Sequence, residues 1–252
     1  MSGPFPFVRT VIRHAVVAST NDEARALAHA GAIALPALIR ADRQTQGRGR
    51  GAHSWWSDEG SLTFTLLLDP AAHALRPEHE PRLALTVAVA VIDAIEARSA
   101  LPALGIRWPN DIESAGRKLG GLLPERIATD HGPRLALGIG LNVRTRFDDA
   151  PAEVRRRAVA LAEVADGFDK TDGFLGALLE RFERRLVALS RDNRDLSERW
   201  AALDTLRGLP IRVALGDRII EGSGQGITEE GALRLWDGRE THVLFGGQVL
   251  RD

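Results

Sequence analysis

Residues 43–56, RQTQGRGRGAHSWW, place three glycines and two arginines in the five positions from Gly47 to Gly51 and follow them with two tryptophans. Glycine costs about 0.5–1 kcal/mol of extra ordering entropy wherever a regular element would serve, so a run this rich is seldom filler. The flanking stretches, LPALIRAD before it and SLTFTLLL after it, have the apolar texture of strands. The segment is therefore predicted to be a loop that joins two strands of a sheet.

The composition limits the classes of protein that the chain can belong to. Its 252 residues are 44% hydrophobic and 27% charged, which suits one globular domain with a small appendage. A formal net charge of −1 gives no global field for nucleic acid or an anionic membrane, so we expect neither partner. The absence of cysteine excludes disulfides and thiolate chemistry and fits the cytoplasm. No apolar run approaches the roughly 18 residues of a membrane span, and the N-terminus is too polar for a signal peptide.

Three stretches predict helices. Residues 20–31, in which Thr20 precedes Glu23 by three positions, have a capping-box pattern and end on a glycine. Residues 83–95 are apolar almost throughout and predict a buried helix, whereas residues 171–190 have the periodicity of an amphipathic helix that covers a sheet.

The segments between these helices predict a meander of strands. LGIRWPNDI is a strand broken by a Pro-Asn-Asp turn, LGGLLPERI is a strand whose Pro124 suggests a sheet edge or a bulge, and RLALGIGLNV is a central strand. From Leu209 onward five short strands alternate with glycine turns, a pattern typical of a small five-stranded barrel. We therefore predict two domains, residues 1–207 and residues 208–252.

The glycine-rich loop does not match the common phosphate-binding motifs. Gly47, Gly49 and Ala52 satisfy G-x-G-x-x-A, but a strand follows where the dinucleotide motif requires a helix, and no P-loop sequence occurs. Glycines nevertheless let backbone N–H groups approach an anion, and Arg48 and Arg50 add charge-assisted donors. A solvated basic turn explains this stretch equally well when it is taken alone.

Five motifs together resemble one family. QTQGRGRG, STND (19–22), RWPNDI (107–112), GRKLGGLL (116–123) and LGIGLNV (137–143) occur in the order and spacing of biotin protein ligases. GDRIIEGSGQGITEEGALRLWDG (216–238) resembles the small SH3-like barrel of that family. The resemblance implies an α/β (α+β) fold, with a catalytic domain on a mixed sheet followed by the barrel.

The resemblance also implies a two-step reaction. Biotin and ATP give biotinyl-5′-adenylate and pyrophosphate, and a lysine of a carboxylase biotin carrier domain then accepts the biotinyl group. Mg²⁺ is implied as well, although the sequence does not reveal its ligands. The reaction forces a carboxylate against a polyanion, so the site needs fixed cations and protection from water.

The matched motifs assign expected roles to individual residues. Lys118 is the fixed cation, and Arg48 and Arg50 close over biotin and adenylate with the freedom that Gly47 and Gly49 supply. Around the biotin ring the resemblance places Ser19, Thr20, Asn21 and Gln44, whose hydroxyl and amide groups suit a ureido ring; Thr20 also serves as a helix cap in the local interpretation.

Glycines and side chains for the nucleotide complete the expected site. Gly120, Gly121, Gly138 and Gly140 lie on core strands, where a flat bicyclic ligand against the sheet would explain all four. The nucleotide residues implied by the resemblance are Trp55, Asn110, Lys118 and Asn142. Trp55 and Trp56 are also candidates for the core, and the sequence leaves open which one meets adenine.

The chain departs from the family pattern in two places, and several alternatives stay open. Gly51, Ala52 and His53 stand where further basic residues are common, and Pro124 replaces an ordinary strand residue. With 18 residues before Ser19, we expect no DNA-binding domain and no repressor role. The oligomeric state is open, a homodimer included. A lipoate or octanoate ligase or transferase shares the fold, and a non-enzymatic RNA- or phosphate-binding module is the remaining alternative.

Overall fold

A computed structural model describes residues 5–51, 53–99, 104–169 and 171–251. Seven strands form a mixed sheet in the order β1-β2-β3-β7-β6-β5-β4, in which β1 and β2 are parallel and the other neighbours antiparallel. The strands are β1 (Thr10–Val17), β2 (Ala37–Gln44), β3 (Ser61–Leu68), β4 (Leu104–Arg107), β5 (Asp111–Ser114), β6 (Arg117–Ile127) and β7 (Arg134–Asn142). The glycine-rich loop joins β2 to β3, as predicted.

The two faces of this sheet carry different helices because side chains alternate along each strand. Phe64 and Leu66 of β3 pack into the large apolar core, whereas Leu67 packs with Ala24 and Ala28 of the opposite face. The helices are α1 (Thr20–Ala30), α2 (Leu83–Glu96), α3 (Ala152–Arg157), α4 (Leu161–Val164), α5 (Asp172–Ser190) and α6 (Arg194–Ala202), with 3-10 turns at Ala71–His73 and Pro77–Arg82. Helix α1 covers one face, and α2 packs against α5 on the other.

The three predicted helices are confirmed, but the predicted cap of α1 is wrong. Ser19 is the N-cap and Thr20 the first helical residue, and no side chain caps the helix. The Thr20 hydroxyl instead donates to Gln44, so a tertiary partner replaces the local one. Gly31 ends the helix at φ 70°, in the left-handed region that favours glycine.

The meander is confirmed, and Pro124 lies where β6 has an edge. Strand β5 pairs with β6 only as far as Gly121, whereas β7 pairs with β6 through Ile127. At Pro124 no strand of the described residues pairs with the side of β6 that faces away from β7, so the missing N–H breaks no ladder. Strand β1 was not predicted, because this half-exposed strand lacks an apolar period.

The C-terminal strands form a second, antiparallel sheet in the order β11-β10-β9-β8-β12. They are β8 (Pro210–Leu215), β9 (Arg218–Ile227), β10 (Leu233–Trp236), β11 (Thr241–Leu244) and β12 (Gln248–Val249). All five strands agree with the prediction, but β11 and β12 are edges of an open sheet among the described residues, so the barrel is not closed. The buried Trp108 indole N–H donates to the carbonyl oxygen of Gly231 at 3.0 Å and ties this sheet to the β4–β5 turn. None of the helices described is long and apolar enough to cross a bilayer.

Candidate active site

A cavity of about 490 Å³ opens on the α1 face of the mixed sheet, between the glycine-rich loop and the C-terminal sheet. Strands β6 and β7 form its floor, the start of α1 forms one end, and the β4–β5 turn with the segment around β12 forms the other. Of the residues predicted for the site, those that line it are Ser19, Thr20, Asn21, Gln44, Arg48, Gly49, Arg50, Trp55, Asn110, Lys118, Gly121, Gly138 and Gly140. Residues as far as 197 positions apart in the chain are bonded to each other here, as in the hydrogen bond that Arg50 donates to the Gly247 carbonyl oxygen.

The end at α1 is neutral and rich in hydrogen-bonding groups. Gln44 Oε1 accepts from the Thr20 N–H at 2.7 Å and from the Thr20 hydroxyl at 3.1 Å. The hydroxyl of Thr65 lies 2.9 Å from Thr20 Oγ1 and 2.6 Å from Asn21 Oδ1. Ser19, Thr20 and Asn21 are each at most 4% exposed. This end can therefore recognise a compact polar group by hydrogen bonds without net charge.

The opposite end is cationic. Lys118 Nζ lies 2.7 Å from Asp111 Oδ1, and Arg251 Nη2 lies 3.6 Å from Asp111 Oδ2. Burial lowers the pKa of Arg107, and the nearby Arg251 guanidinium lowers it further. Asp111 is the only carboxylate among the described residues that line the cavity, so the cations outnumber it and this end suits an anion with several charges.

The glycine-rich loop folds over the cavity as a tight turn. The Gly49 N–H donates to the His53 carbonyl oxygen at 2.7 Å, and the Trp55 N–H donates to the Gly47 carbonyl oxygen at 2.8 Å. A Cβ at Gly47 would lie 2.6 Å from the Trp55 carbonyl oxygen, so this glycine permits a close backbone approach. Gly47 itself does not line the cavity in the described part of the chain, and Ala52 lies outside the described residues.

The two loop arginines have different partners. Arg48 Nη2 lies 2.6 Å from Glu125 Oε2 and 3.0 Å from Asp22 Oδ1. Arg50 donates to the carbonyl oxygen of Gly247 in the C-terminal sheet, and partial burial lowers its pKa. Arginine stays protonated in proteins, and no carboxylate in the described part of the chain forms an ion pair with Arg50, so its charge is available to the cavity.

Of Trp55 and Trp56, Trp55 is the one that lines the cavity. Its ring lies against β7, where a Cβ at Gly140 would come within 2.4 Å of its Cε2 atom, and Lys118 Nζ lies 5.8 Å from a ring centroid. The indole N–H of Trp55 is buried without a partner in the described structure. Trp56 lies outside the cavity lining, and its indole N–H reaches the Arg146 carbonyl oxygen at 3.4 Å.

The floor glycines make room for protein groups in this structure. A Cβ at Gly138 would lie 2.2 Å from Asn21 Oδ1, and one at Gly121 would lie 3.4 Å from Lys118 Nζ. A Cβ at Gly120 would lie 2.9 Å from the Gly140 carbonyl oxygen. The four glycines thus lie against Asn21, Trp55, Lys118 and the neighbouring strand, and a flat ligand against the sheet stays a prediction.

The two asparagines predicted for the nucleotide have different positions. Asn110 lines the cavity, and its amide donates to the Leu122 carbonyl oxygen at 2.7 Å. Asn142 is 3% exposed and is not among the described lining residues. Its amide donates to the carbonyl oxygens of Lys118, at 3.3 Å, and Val159, at 3.2 Å. Asn142 therefore supports the backbone at Lys118 and does not reach the cavity.

Several charged residues in and beside the cavity were not predicted from the sequence. Arg107 and Asp111 stand inside the RWPNDI motif, and Arg251 ends the C-terminal stretch FGGQVLR (245–251), but the sequence predicts no role for any of the three. Glu113, which is 2% exposed, accepts from Arg251 and, at 3.2 Å, from the Thr205 hydroxyl. No local pattern distinguishes these charges from solvated ones.

Comparison with known proteins identifies the family. The biotin/lipoate A/B protein ligase family model matches residues 15–142. The biotin–[acetyl-CoA-carboxylase] ligase of Paracoccus denitrificans is 31% identical, over 91% of this chain and 98% of that protein. The chain belongs to this family. A bifunctional ligase/repressor of Bacillus subtilis is 32% identical, over 95% of this chain and 73% of that protein.

Solved structures agree with this membership and with the predicted fold. The biotin protein ligase of Aquifex aeolicus in complex with biotin and ATP matches with a TM-score of 0.81 at 26% identity. The match covers 96% of this chain and 98% of that chain. The α/β fold with a mixed sheet and a separate C-terminal antiparallel sheet is thereby confirmed.

Proposed function

We infer that this chain is an ATP-dependent biotin protein ligase. The observation that carries the inference is the difference in charge between the two ends of one cavity. The neutral end suits a ureido ring, and the cationic end suits a triphosphate. An arginine-bearing loop covers both ends, and the conformational freedom of its glycines suits a cover that opens and closes. The matching Aquifex structure, which contains biotin and ATP, supports the inference.

In the first step the biotin carboxylate reacts with ATP. The ring lies at the end formed by Ser19, Thr20, Asn21 and Gln44, and the carboxylate points toward Lys118. A carboxylate oxygen attacks the α-phosphorus, the bond from that phosphorus to the bridging oxygen of the β-phosphate breaks, and pyrophosphate leaves. Lys118 offsets the charge that builds up during attack.

The nucleotide occupies the cationic end. Trp55 offers a ring face to adenine and an unpartnered indole N–H, and Asn110 lies at the same mouth. Arg50, Arg107 and Arg251 balance the phosphates. Magnesium ions characteristically bind one or two carboxylates together with substrate phosphates, and Asp111 is already paired with Lys118, so we propose that Mg²⁺ enters as part of the MgATP substrate.

In the second step an acceptor lysine replaces AMP. The neutral amine of a lysine on a carboxylase carrier domain attacks the biotinyl carbonyl carbon, the amine loses a proton, and AMP leaves. The loop must keep water from the mixed anhydride until that domain arrives. Residues 1–207 form the catalytic domain and residues 208–252 the C-terminal domain in this proposal, with the C-terminal domain completing the cavity wall.

Exchange of labelled pyrophosphate into ATP tests the proposal. We expect exchange that requires biotin and that lipoate or octanoate does not support, because neither acid carries ureido N–H groups for the neutral end. Exchange with lipoate and none with biotin would select the lipoate alternative. Absence of exchange with every acid would refute the ligase assignment.

A further inference from the structure

Glu125 lies behind the cavity lining, bonded to two lining residues, Asn21 and Arg48, and the reaction described above does not use it. It lies on β6 beyond the end of β5, and its side chain is 19% exposed. One oxygen, Oε2, accepts from Asn21 Nδ2 at 2.6 Å and from Arg48 Nη2 at 2.6 Å. The other, Oε1, accepts from Arg25 Nη2 at 3.1 Å. One carboxylate thus joins the start of α1, the core sheet and the glycine-rich loop.

This carboxylate fixes the direction of the Asn21 amide. Asn21 Nδ2 donates to Glu125 and, at 3.1 Å, to the Leu123 carbonyl oxygen, so both amide hydrogens are engaged. Asn21 Oδ1 accepts from Thr65 at 2.6 Å and retains a second lone pair. Asn21 can therefore offer an incoming ligand an acceptor and no donor, which suits the N–H groups of a cyclic urea.

The same carboxylate holds the loop. Arg48 lies between two carboxylates, whereas the recorded partner of Arg50 is a carbonyl oxygen. Asp22 and Glu125 thus neutralise the charge of Arg48, and the charge of Arg50 remains for a phosphate. Arg48 therefore anchors the loop, and Arg50 is left to bind an anion.

We propose that Glu125 is a positioning residue that couples loop closure to recognition of the ureido ring. Because one oxygen atom holds both Arg48 and Asn21, a loop that lifts away also loosens the amide that meets the ring. The proposal rests on the biotin ligase function inferred above. In this proposal Glu125 contributes to the selectivity for a ring that carries N–H donors, such as the ureido ring, over a dithiolane ring, although it touches neither ring.

The isosteric variant Glu125→Gln tests the proposal. Its amide oxygen can keep Asn21 and Arg48 only if its N–H groups face the guanidinium of Arg25, and the loss of the negative charge weakens the bond to Arg48. Because hydrogen bonds to charged groups contribute about 1.5–3 kcal/mol, we expect the KM for biotin and the dissociation rate of biotinyl-adenylate to rise by about 10- to 100-fold. The KM for ATP should change less than threefold, and trypsin should cut the adenylate-bound loop after Arg48 and Arg50 faster.

Glu23→Gln is the matched control. It removes the same charge from the first turn of α1, where Glu23 lies 3.8 Å from His14 and makes no recorded contact with the loop. We expect wild-type kinetics from it. A double-mutant cycle with Arg48→Gln should show non-additive effects on adenylate dissociation, which two independent structural defects would not produce.

The outcomes separate this proposal from the assignment of the enzyme. Wild-type pyrophosphate exchange establishes the ligase reaction first. If exchange occurs, a Glu125→Gln enzyme with unchanged biotin KM and adenylate dissociation overturns the proposal, as do equal rises in the KM for biotin and ATP. If Glu125→Gln does not fold, Arg48→Gln breaks the same contact from a partly exposed position and carries the test. If the wild-type protein shows no exchange, the rate at which trypsin cleaves the ligand-free loop decides whether Glu125 holds Arg48. Equal cleavage rates in the wild type and in Glu125→Gln would overturn that contact.

Discussion

Replacing Lys118 with alanine should remove most of the adenylation rate while leaving biotin binding largely intact. The Lys118 side chain is one-third exposed and its amine lies 2.7 Å from Asp111, so an effective dielectric constant of about 20 is appropriate. At about 4 Å from a phosphate oxygen, the attraction is then about 4 kcal/mol. Asp111 offsets part of it, and the remainder agrees with the 100- to 1,000-fold that one preorganised donor typically contributes to kcat.

The biotin affinity should change much less, because the contacts of the neutral end do not involve Lys118. Single-turnover formation of biotinyl-adenylate from α-labelled ATP measures the first quantity, and calorimetric titration with biotin measures the second. We expect a rate loss of about 100- to 1,000-fold against an affinity loss smaller than tenfold.

The chain supplies its own control for this experiment. Lys118 and Lys170 are its two lysines, and Lys170→Ala should retain the wild-type rate. Equal losses of rate and affinity in Lys118→Ala would show that the residue binds biotin and does not catalyse. A rate loss below tenfold would refute the assignment of Lys118 as the principal cation.

Further predictions concern the floor, the domain contact and the pH dependence. Gly140→Ala places a Cβ 2.4 Å from the Trp55 ring, so the ring must move, and the KM for ATP should rise at least about tenfold with unchanged circular dichroism; an unchanged KM would separate Trp55 from the nucleotide. Arg251→Ala leaves the buried Glu113 carboxylate without its guanidinium and should lower the free energy of unfolding by about 3 kcal/mol in urea titrations, whereas a loss below 1 kcal/mol would contradict a buried charge pair. Burial lowers the pKa of His79 from its usual 6.5, so the unfolded chain binds a proton at a higher pH than the folded protein does. The contribution of His79 to the free energy of unfolding is therefore complete above about pH 6.5 and is lost as the pH falls. Urea midpoints between pH 5 and 7.5 measure this slope, and His79→Gln should flatten it.

Local patterns were sufficient where one face of an element meets the core. The periodicities of 83–95 and 171–190 and the apolar run Ser61–Leu68 predicted α2, α5 and β3 because each repeats over many residues. Strand β1 escaped because it pairs with β2 on one side only and exposes half its residues. The same limitation placed the cap of α1 one residue too late, since a tertiary bond to Gln44 engages the Thr20 hydroxyl.

The sequence by itself determined the family, the order of most elements and the residue types of the cavity, because these depend on short motifs and on spacing along the chain. Only the tertiary structure decided which of the two adjacent tryptophans lines the cavity, that Asn142 supports a strand away from the ligand space, and that Arg48 is bound by Glu125, 77 positions away. Such pairs depend on strand order and register, which bring distant residues together without leaving a periodic trace in either segment. Arg48, which faces a carboxylate, and Arg50, which faces the cavity, are the same residue type in the sequence, so only the fold distinguishes their roles.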